Sequence, residues 1–425
     1  AARWTPTDTW TFIGFSLGLL LEAYIFGMAS IATGWVPMPP NLRSLLLSWA
    51  PLWLIIGIAT AGPVSDKIGR KQTFILTMSL YGLGAIGIVF SHTYYLILTF
   101  LAILLFAAGG EMNTILTATH EVMPTAHRGK AMFMELNFIN LGGLLLAVIS
   151  LLSAYGSVQF QREMLASTIL LVVFVLFFVR RRTPESIRWL EKTGQTARAQ
   201  SEAEKYYGTD IYALRQKSDQ LLMAADQHQL HHVSLGIRLF STIAIAFAGA
   251  AGYGLITYVL GPSYFKHLTA TIILVSSLVG FVFGFIGLAA DRISRKKMLL
   301  WGYAGTFIAT GIAVLTVATW VRDLALFWIL LVAINAFNAV GYLTEDTLKG
   351  EIWSTAHRGT LTAVVRFAGI GLYILTIYLT QNYSLHQYMI FNLIVWGIGL
   401  AGALVWYVKG VETGQGTDID AISNQ

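Results

Sequence analysis

The sequence predicts an all-α membrane protein in which twelve transmembrane helices form two pseudo-symmetric six-helix bundles. Three observations support this fold class: the composition, the number of long apolar runs, and an internal repeat. Of the 425 residues, 56% are hydrophobic and only 12% are charged, whereas soluble domains carry roughly 25% charged residues. Too little polar surface remains to face water, so most of the exterior must face lipid.

Apolar runs of the length that a bilayer requires, about 20 residues, occur twelve times along the chain. Predicted spans 1 to 12 cover approximately residues 10–36, 45–65, 72–91, 94–120, 131–153, 162–180, 238–262, 268–290, 297–319, 322–347, 359–381 and 387–408. A long polar stretch divides them six and six. We therefore predict an N-terminal bundle (1–183), a cytoplasmic linker with short amphipathic helices (184–237), a C-terminal bundle (238–410) and a cytoplasmic tail (411–425).

The distribution of positive charge orients the spans, because cytoplasmic loops of membrane proteins are enriched in Lys and Arg. With both termini and the linker in the cytoplasm, only four of the 28 basic residues lie on the opposite side, and Arg366 lies within a span. We therefore expect an integral protein of the plasma (inner) membrane with both termini cytoplasmic. The same enrichment explains the net charge of +6 without a nucleic-acid partner.

Two polar motifs recur in both halves, which indicates a duplicated six-helix unit. Gly62-Pro-Val-Ser-Asp66-Lys-Ile-Gly69-Arg70-Lys71, after span 2, recurs 225 residues later as Gly287-Leu-Ala-Ala-Asp291-Arg-Ile-Ser294-Arg295-Lys296. Glu121-Val-Met-Pro-Thr125-Ala-His127-Arg128-Gly129, after span 4, recurs 230 residues later as Glu351-Ile-Trp-Ser-Thr355-Ala-His357-Arg358-Gly359.

The repeated motifs are either tight, positively charged loops or the parts of a cytoplasmic gate. In the gate, Asp66 and Asp291 would pair with Arg128 and Arg358 and bias a conformational equilibrium of a few kcal/mol. The predicted gate residues are Asp66, Arg70, Glu121, Arg128, Asp291, Arg295, Glu351 and Arg358.

Charged residues inside predicted spans face a cavity or a partner by default, because a charge at the bilayer centre is costly. Glu22 lies roughly 18 Å into span 1 at 1.5 Å per residue, near the bilayer centre. Glu111 is in span 4, Glu135 in span 5 and Arg366 in span 11. We predict the three glutamates as proton-coupling groups, against the alternative of fixed structural pairs. Arg366 could neutralise Glu135 or bind an anion.

Neutral polar side chains at mid-membrane depth complete the predicted binding site. Asn335, Asn338 and Tyr342 share one face of span 10 at i, i+3 and i+7, and such a face lines a cavity or joins helices. The full set of predicted solute-binding residues is Glu22, Glu111, Asn137, Tyr253, Tyr258, Asn335, Asn338, Tyr342 and Arg366.

The sequence gives no sign of an enzyme, a metal site or a cofactor. It has no cysteine, and it contains neither a phosphate-binding lysine loop nor a nucleophile constellation.

The repeated motifs resemble those of the major facilitator superfamily, as do Pro184-Glu185-Ser186-Ile-Arg188-Trp189-Leu190 after span 6 and Val411-Glu412-Thr413 after span 12. The closest likeness is to the branch of sugar porters, metabolite:proton symporters and organic-ion transporters, and it covers nearly the whole chain. It implies alternating access around a central site between two bundles. Leu21-Glu22-Ala23-Tyr24 and Gly109-Gly110-Glu111 also resemble elements of that branch.

The chain departs from the sugar-porter pattern at three places. Span 7 lacks the Gln-Gln…Asn group that holds hexose hydroxyls, the span-10 Trp is replaced near Asp346, and the usual span-4 Arg falls at Leu101. The resemblance therefore points away from a hexose.

We expect a secondary active transporter that moves a small charged or aromatic organic solute by proton-coupled alternating access. A sugar porter or drug/proton antiporter of the same fold, and a non-transporting membrane sensor, are the alternatives. The expected partners are the solute, protons and the lipid bilayer, and the expected oligomeric state is a monomer.

Overall fold

The computed structural model describes residues 4–208, 213, 233–289, 292–353 and 358–413, without the side chains of 125, 126, 350, 351 and 358–360. Within these residues, twelve helices are long and apolar enough to cross a membrane. Numbered as spans 1 to 12, they are Pro6–Ala32, Pro40–Ile68, Arg70–Val89, Tyr94–Val122, Thr125–Ser153, Val158–Arg180, Leu235–Tyr264, Lys266–Ala289, Arg295–Leu315, Leu324–Glu351, Arg358–Leu379 and Leu385–Lys409. The predicted fold class is confirmed, and the predicted span ends shift by a few residues.

Local capping determines where the outermost spans begin. Span 1 starts at a capping box, in which the Thr5 hydroxyl accepts from the Asp8 amide and the Asp8 carboxylate accepts from the Thr5 amide. Span 12 starts in the same way with Ser384 and Gln387. Each box satisfies backbone donors that the first helical turn cannot pair internally.

Successive spans run in opposite directions, so the described ends of the chain and residues 181–208 lie at one end of the molecule, where the Thr7 hydroxyl donates to the Tyr206 carbonyl at 2.9 Å. We call this end the terminal face and the opposite end the far face. At the terminal face, Ile187–Lys192 and Thr196–Tyr206 are short helices that pack through Trp189, Leu190 and Ala203. Most of the predicted linker beyond Gly208 lies outside the described residues.

Glycines allow spans 2 and 4 to meet backbone to backbone. A Cβ added to Gly57 would lie well inside 3.0 Å of the Phe106 carbonyl oxygen, and one added to Gly109 would do the same at Leu54. Small residues at such crossings permit the close packing on which helix association in lipid depends. The pair therefore fixes the shape of the N-terminal bundle.

A buried ion pair joins spans 4 and 6 inside the same bundle. Arg180 donates to the Glu111 carboxylate, and the Thr77 hydroxyl donates to the second oxygen of Glu111 at 2.6 Å. The Arg180 guanidinium lies 4.2 Å from the centre of the Phe74 ring. Gly18 of span 1 leaves the room that Glu111 occupies, because an added Cβ would overlap the carboxylate.

We expect Gly109→Ala to destabilise the protein by about 1–3 kcal/mol, because the added methyl group meets backbone that cannot move aside cheaply. The measurement is the thermal unfolding midpoint of the purified protein in detergent. Gly82→Ala in span 3 is the matched control, since nothing lies within 4 Å of its added Cβ. Equal midpoints for the two variants would contradict the close crossing of spans 2 and 4.

We expect Arg180→Gln to cost about 3–5 kcal/mol of stability, because it leaves the Glu111 carboxylate buried without its counter-ion. The double variant Glu111→Gln/Arg180→Gln should recover most of that loss, since no uncompensated charge remains. Unfolding midpoints in detergent measure both effects. A double variant as unstable as Arg180→Gln would show that the pair is not a closed structural unit.

Candidate functional site

A cavity of about 150 Å³ lies between the two bundles. A single water requires roughly 10–15 Å³ on this measure, so the cavity is far larger than a packing defect. Helices of both halves form its wall. Its polar lining residues are Glu22, Asn140, Tyr253, Tyr258, Ser277, Asn335, Asn338, Tyr342, Glu345, Asp346, Lys349, Arg366 and Tyr373.

Span 7 departs from regular α-helix where it passes the cavity. Ala248–Gly252 and Leu255–Val259 are π-helical, and Tyr253 lies between these segments. Side chains of span 12 bond their backbone: Asn392 donates to a carbonyl of the first segment at 3.0 Å, and Tyr388 donates to one of the second at 2.5 Å. Such turns are frequent at functional sites, and neighbouring helices satisfy the backbone groups that they free.

Four charged side chains form an ion-paired cluster on the C-terminal wall of the cavity. Lys349 Nζ lies 2.7 Å from both Glu345 Oε1 and Asp346 Oδ1. Arg366 Nη2 lies 3.3 Å from Asp346 Oδ1. All four side chains are buried. Two carboxylates and two cations give a formal charge of zero, so the cluster neutralises itself.

Glu22 faces this cluster from the N-terminal bundle. It is buried, and no hydrogen bond or ion pair joins it to any residue that the structure describes. The charged groups that act on it are Asp346 and Arg366, across the cavity. With Glu22 included, three carboxylates share two cations.

Of the nine predicted solute-binding residues, seven line the cavity: Glu22, Tyr253, Tyr258, Asn335, Asn338, Tyr342 and Arg366. Glu111 does not, because Arg180 and Thr77 hold it inside the N-terminal bundle. Asn137 does not either, because its amide donates to the Phe281 carbonyl of span 8 at 3.0 Å and joins the bundles.

Glu135 also lies outside the cavity lining. Its carboxylate accepts from the Thr119 hydroxyl at 2.6 Å and is fully buried. Arg366 pairs with Asp346 and not with Glu135, so the first of the two roles considered for Arg366, neutralisation of Glu135, is not found in this conformation.

Glu345, Asp346 and Lys349 also line the cavity, although they are not among the predicted site residues. The signal was present, because Glu345 and Lys349 lie one heptad after Asn338 and Tyr342 along span 10, and Asp346 lies one helical turn after Tyr342. Lys349 lies two residues beyond the predicted end of span 10 at residue 347. In the structure it belongs to the last turns of the span and reaches back to the two carboxylates.

The N-terminal gate motif forms a network within its own bundle. Arg70 Nη2 lies 2.6 Å from Glu121 and Arg70 Nη1 lies 2.9 Å from Asp66. The predicted pair of Asp66 with Arg128 is therefore replaced by a pair one helical turn along the chain. Asp291 lies outside the described residues, as do the side chains of Glu351 and Arg358.

At the terminal face, a glutamate in corresponding positions of each half caps the start of a transmembrane helix. Glu185, after span 6, accepts from the backbone amides of Arg70 and Lys71 at 3.1 Å each. Glu412, after span 12, accepts from the Arg295 amide at 2.7 Å. Each carboxylate thus caps the start of span 3 or span 9, where the helix dipole favours negative charge. The Arg295 guanidinium lies over the Phe133 ring of the other half, at 4.8 Å.

The bundles also meet on the far-face side of the cavity. The Ser30 hydroxyl donates to the Tyr258 carbonyl at 2.8 Å, and the hydroxyls of Ser48 and Tyr378 are 2.7 Å apart. The rings of Phe26 and Tyr258 pack with their centres 5.0 Å apart. In the opposite direction the cavity extends to Lys349, near the terminal face.

Comparison with known proteins agrees with this architecture. The family described as sugar (and other) transporter matches residues 40–422. The glucose transporter GlcP of Staphylococcus epidermidis is 25% identical over 355 residues, which cover 77% of this chain and 75% of that protein. The niacin transporter NiaP of Acinetobacter baylyi is 22% identical over 446 residues, which cover 99% of this chain and 95% of that protein.

The fold also matches solved structures. The proton:xylose symporter XylE bound to 6-bromo-6-deoxy-D-glucose superposes with a TM-score of 0.75 at 20% identity, covering 97% of this chain and 98% of XylE. Identity at this level supports the fold alone. Together, the twelve apolar spans and the family match show that the chain is an integral membrane transporter of the major facilitator superfamily, not an enzyme, and that it belongs to the sugar (and other) transporter family.

Proposed function

We propose that this protein is a proton-coupled symporter of a small, neutral, sugar-like solute, with Glu22 as the group that carries the proton. One observation supports this most directly. Glu22 is the carboxylate without a bonded partner among the described residues, and it lies in a cavity between bundles whose other charges neutralise one another. A carboxyl group in that position is neutral when it binds a proton, so proton and neutral solute can cross together.

The charge arrangement changes the expectation for the substrate. A charged or aromatic solute was expected because charges lie within the spans, but Glu345, Asp346, Lys349 and Arg366 pair with one another. They do not require a counter-ion from the solute. The names of relatives, among them a glucose transporter and a D-xylose transporter, also favour the sugar-porter alternative over a charged or aromatic substrate.

The neutral lining suits a polyhydroxylated molecule. Asn338 makes no hydrogen bond to a described residue and can therefore donate and accept toward a solute. Tyrosine rings such as Tyr253 and Tyr342 offer apolar faces together with hydroxyl groups. The amides come from spans 5 and 10, in place of the span-7 amides of the sugar-porter pattern.

The proposed orientation places the terminal face in the cytoplasm, as the excess of basic residues on that side favours. The cavity would then extend toward the cytoplasmic side, and the contacts of Ser48 and Tyr258 would close the external side. One chain encloses the whole cavity, so a monomer is sufficient for transport.

We expect Glu22→Gln to abolish proton-driven accumulation while solute exchange continues, because the amide keeps the shape of the side chain but carries no exchangeable proton. A gradient of one pH unit can drive about tenfold accumulation at one proton per solute, and the variant should reach only equal concentrations. The measurement is uptake into proteoliposomes with an imposed pH gradient. Glu163→Gln, an exposed carboxylate of span 6, is the matched control. Continued accumulation by Glu22→Gln would exclude Glu22 as the coupling group.

We expect counterflow in proteoliposomes to occur with a monosaccharide among D-glucose, D-xylose and L-arabinose, and not with niacin or an organic cation. The same sugar should raise the unfolding midpoint, because a ligand of the folded state stabilises it by about 2.7 kcal/mol at 100 times its Kd. Exchange of niacin or a cation in place of every sugar would overturn the neutral-solute proposal. Exchange of no solute would favour the sensor alternative.

A further inference from the structure

Three carboxylates share two cations inside the cavity, so one carboxylate always lacks a counter-ion. In this conformation it is Glu22. We propose that Arg366 is a switch that exchanges partners between Asp346 of its own bundle and Glu22 of the other bundle during the transport cycle. This inference rests on the proposed function, because it explains how proton release from Glu22 alters the contact between the bundles.

Arg366 is the more loosely held of the two cations. Its single contact with Asp346 is 3.3 Å long, whereas Lys349 lies 2.7 Å from each of its two carboxylates. The Nε of Arg366 is buried and has no hydrogen-bond partner. A guanidinium has five hydrogen-bond donors, and that of Arg366 makes one long bond. It can therefore take a second partner at little cost in free energy.

Lys349 makes the exchange possible. It bridges Glu345 and Asp346, so Asp346 keeps a cation when Arg366 leaves. Without this bridge, the departure of Arg366 would leave a buried carboxylate uncompensated, which is strongly unfavourable. The two cations therefore differ in role: Lys349 remains on span 10, and Arg366 moves.

The surroundings of Glu22 favour Arg366 as its partner. Arg180, a buried cation of the N-terminal bundle beside span 1, is committed to Glu111, and Glu135 is bonded to Thr119. The ionisable groups that interact electrostatically with Glu22 are Tyr81, Tyr253, Tyr258, Tyr342, Asp346 and Arg366. Arg366 is the cation of that set.

The exchange connects protonation to shape. Ionised Glu22 attracts Arg366 across the cavity and so draws span 1 toward span 11. A proton on Glu22 removes that attraction, and Arg366 returns to Asp346 within the C-terminal bundle. The attraction between the bundles would therefore act when Glu22 is ionised and be absent when Glu22 is protonated. The protonation state of Glu22 would thus bias the equilibrium between a closed and an open cavity.

The test follows the protonation of Glu22 directly and needs no substrate. The carboxylic acid C=O stretch of the purified protein is titrated by infrared spectroscopy, and the Glu22 band is the one that Glu22→Gln removes. Arg366→Gln should move its pH midpoint upward by about one unit, because ionised Glu22 loses its cation. Asp346→Asn should move it downward, because Arg366 becomes free to pair with Glu22. Arg322→Gln, an exposed arginine, should leave it unchanged.

The double variant Asp346→Asn/Arg366→Gln distinguishes a switch from two independent charges. If Arg366 transmits the effect, Asp346→Asn should move the midpoint far less in the Arg366→Gln background than in the wild type. Equal shifts in both backgrounds, or no shift in either single variant, would overturn the switch. If Arg366→Gln does not fold, Arg366→Lys completes the same cycle with a smaller upward shift. If Glu22→Gln removes no carboxylic acid C=O band from the infrared spectrum, that result would instead contradict the proposed function.

Discussion

The cavity contains three carboxylates and only two cations, and the rest of the site depends on this imbalance of charge. In a low-dielectric interior two opposite charges attract strongly, and an unpaired charge is correspondingly costly. The N-terminal bundle meets this constraint with a closed pair, Glu111 and Arg180. The cavity does not, because Glu22 adds a third carboxylate to two cations. A proton is the smallest group that can correct the difference, and a transporter can exchange it on either side of the membrane.

The two halves provide different parts of this arrangement. The N-terminal bundle contributes Glu22 from a span that is packed against other helices along its length. The C-terminal bundle contributes the ion-paired cluster and the irregular span 7, whose π-helical segments are held by Asn392 and Tyr388. The duplicated sequence motifs thus specify a common scaffold, while the chemistry of the cavity is asymmetric.

Much of the fold could be predicted from the sequence, because lipid requires long apolar helices and the repeated motifs mark their ends. Glu22 and the polar face of span 10 were found in the same way, since charge depth and helical spacing are local properties. The roles of Glu111 and Lys349 were not. Both depend on which side chain of another turn or helix lies opposite, such as Arg180 for Glu111. Similarly, Asp66 was assigned to the wrong arginine because the pairing that forms is within one helical turn.

The caps formed by Glu185 and Glu412 have a practical consequence for handling the protein. Glu412 lies beyond the last span, yet its carboxylate holds the start of span 9. Residues 410–412, which follow the final helix, are therefore part of the C-terminal bundle and not a dispensable extension. A truncation is compatible with this architecture only if it removes residues after Glu412. A fusion partner or purification tag must likewise be attached after Glu412, so that this carboxylate stays in place.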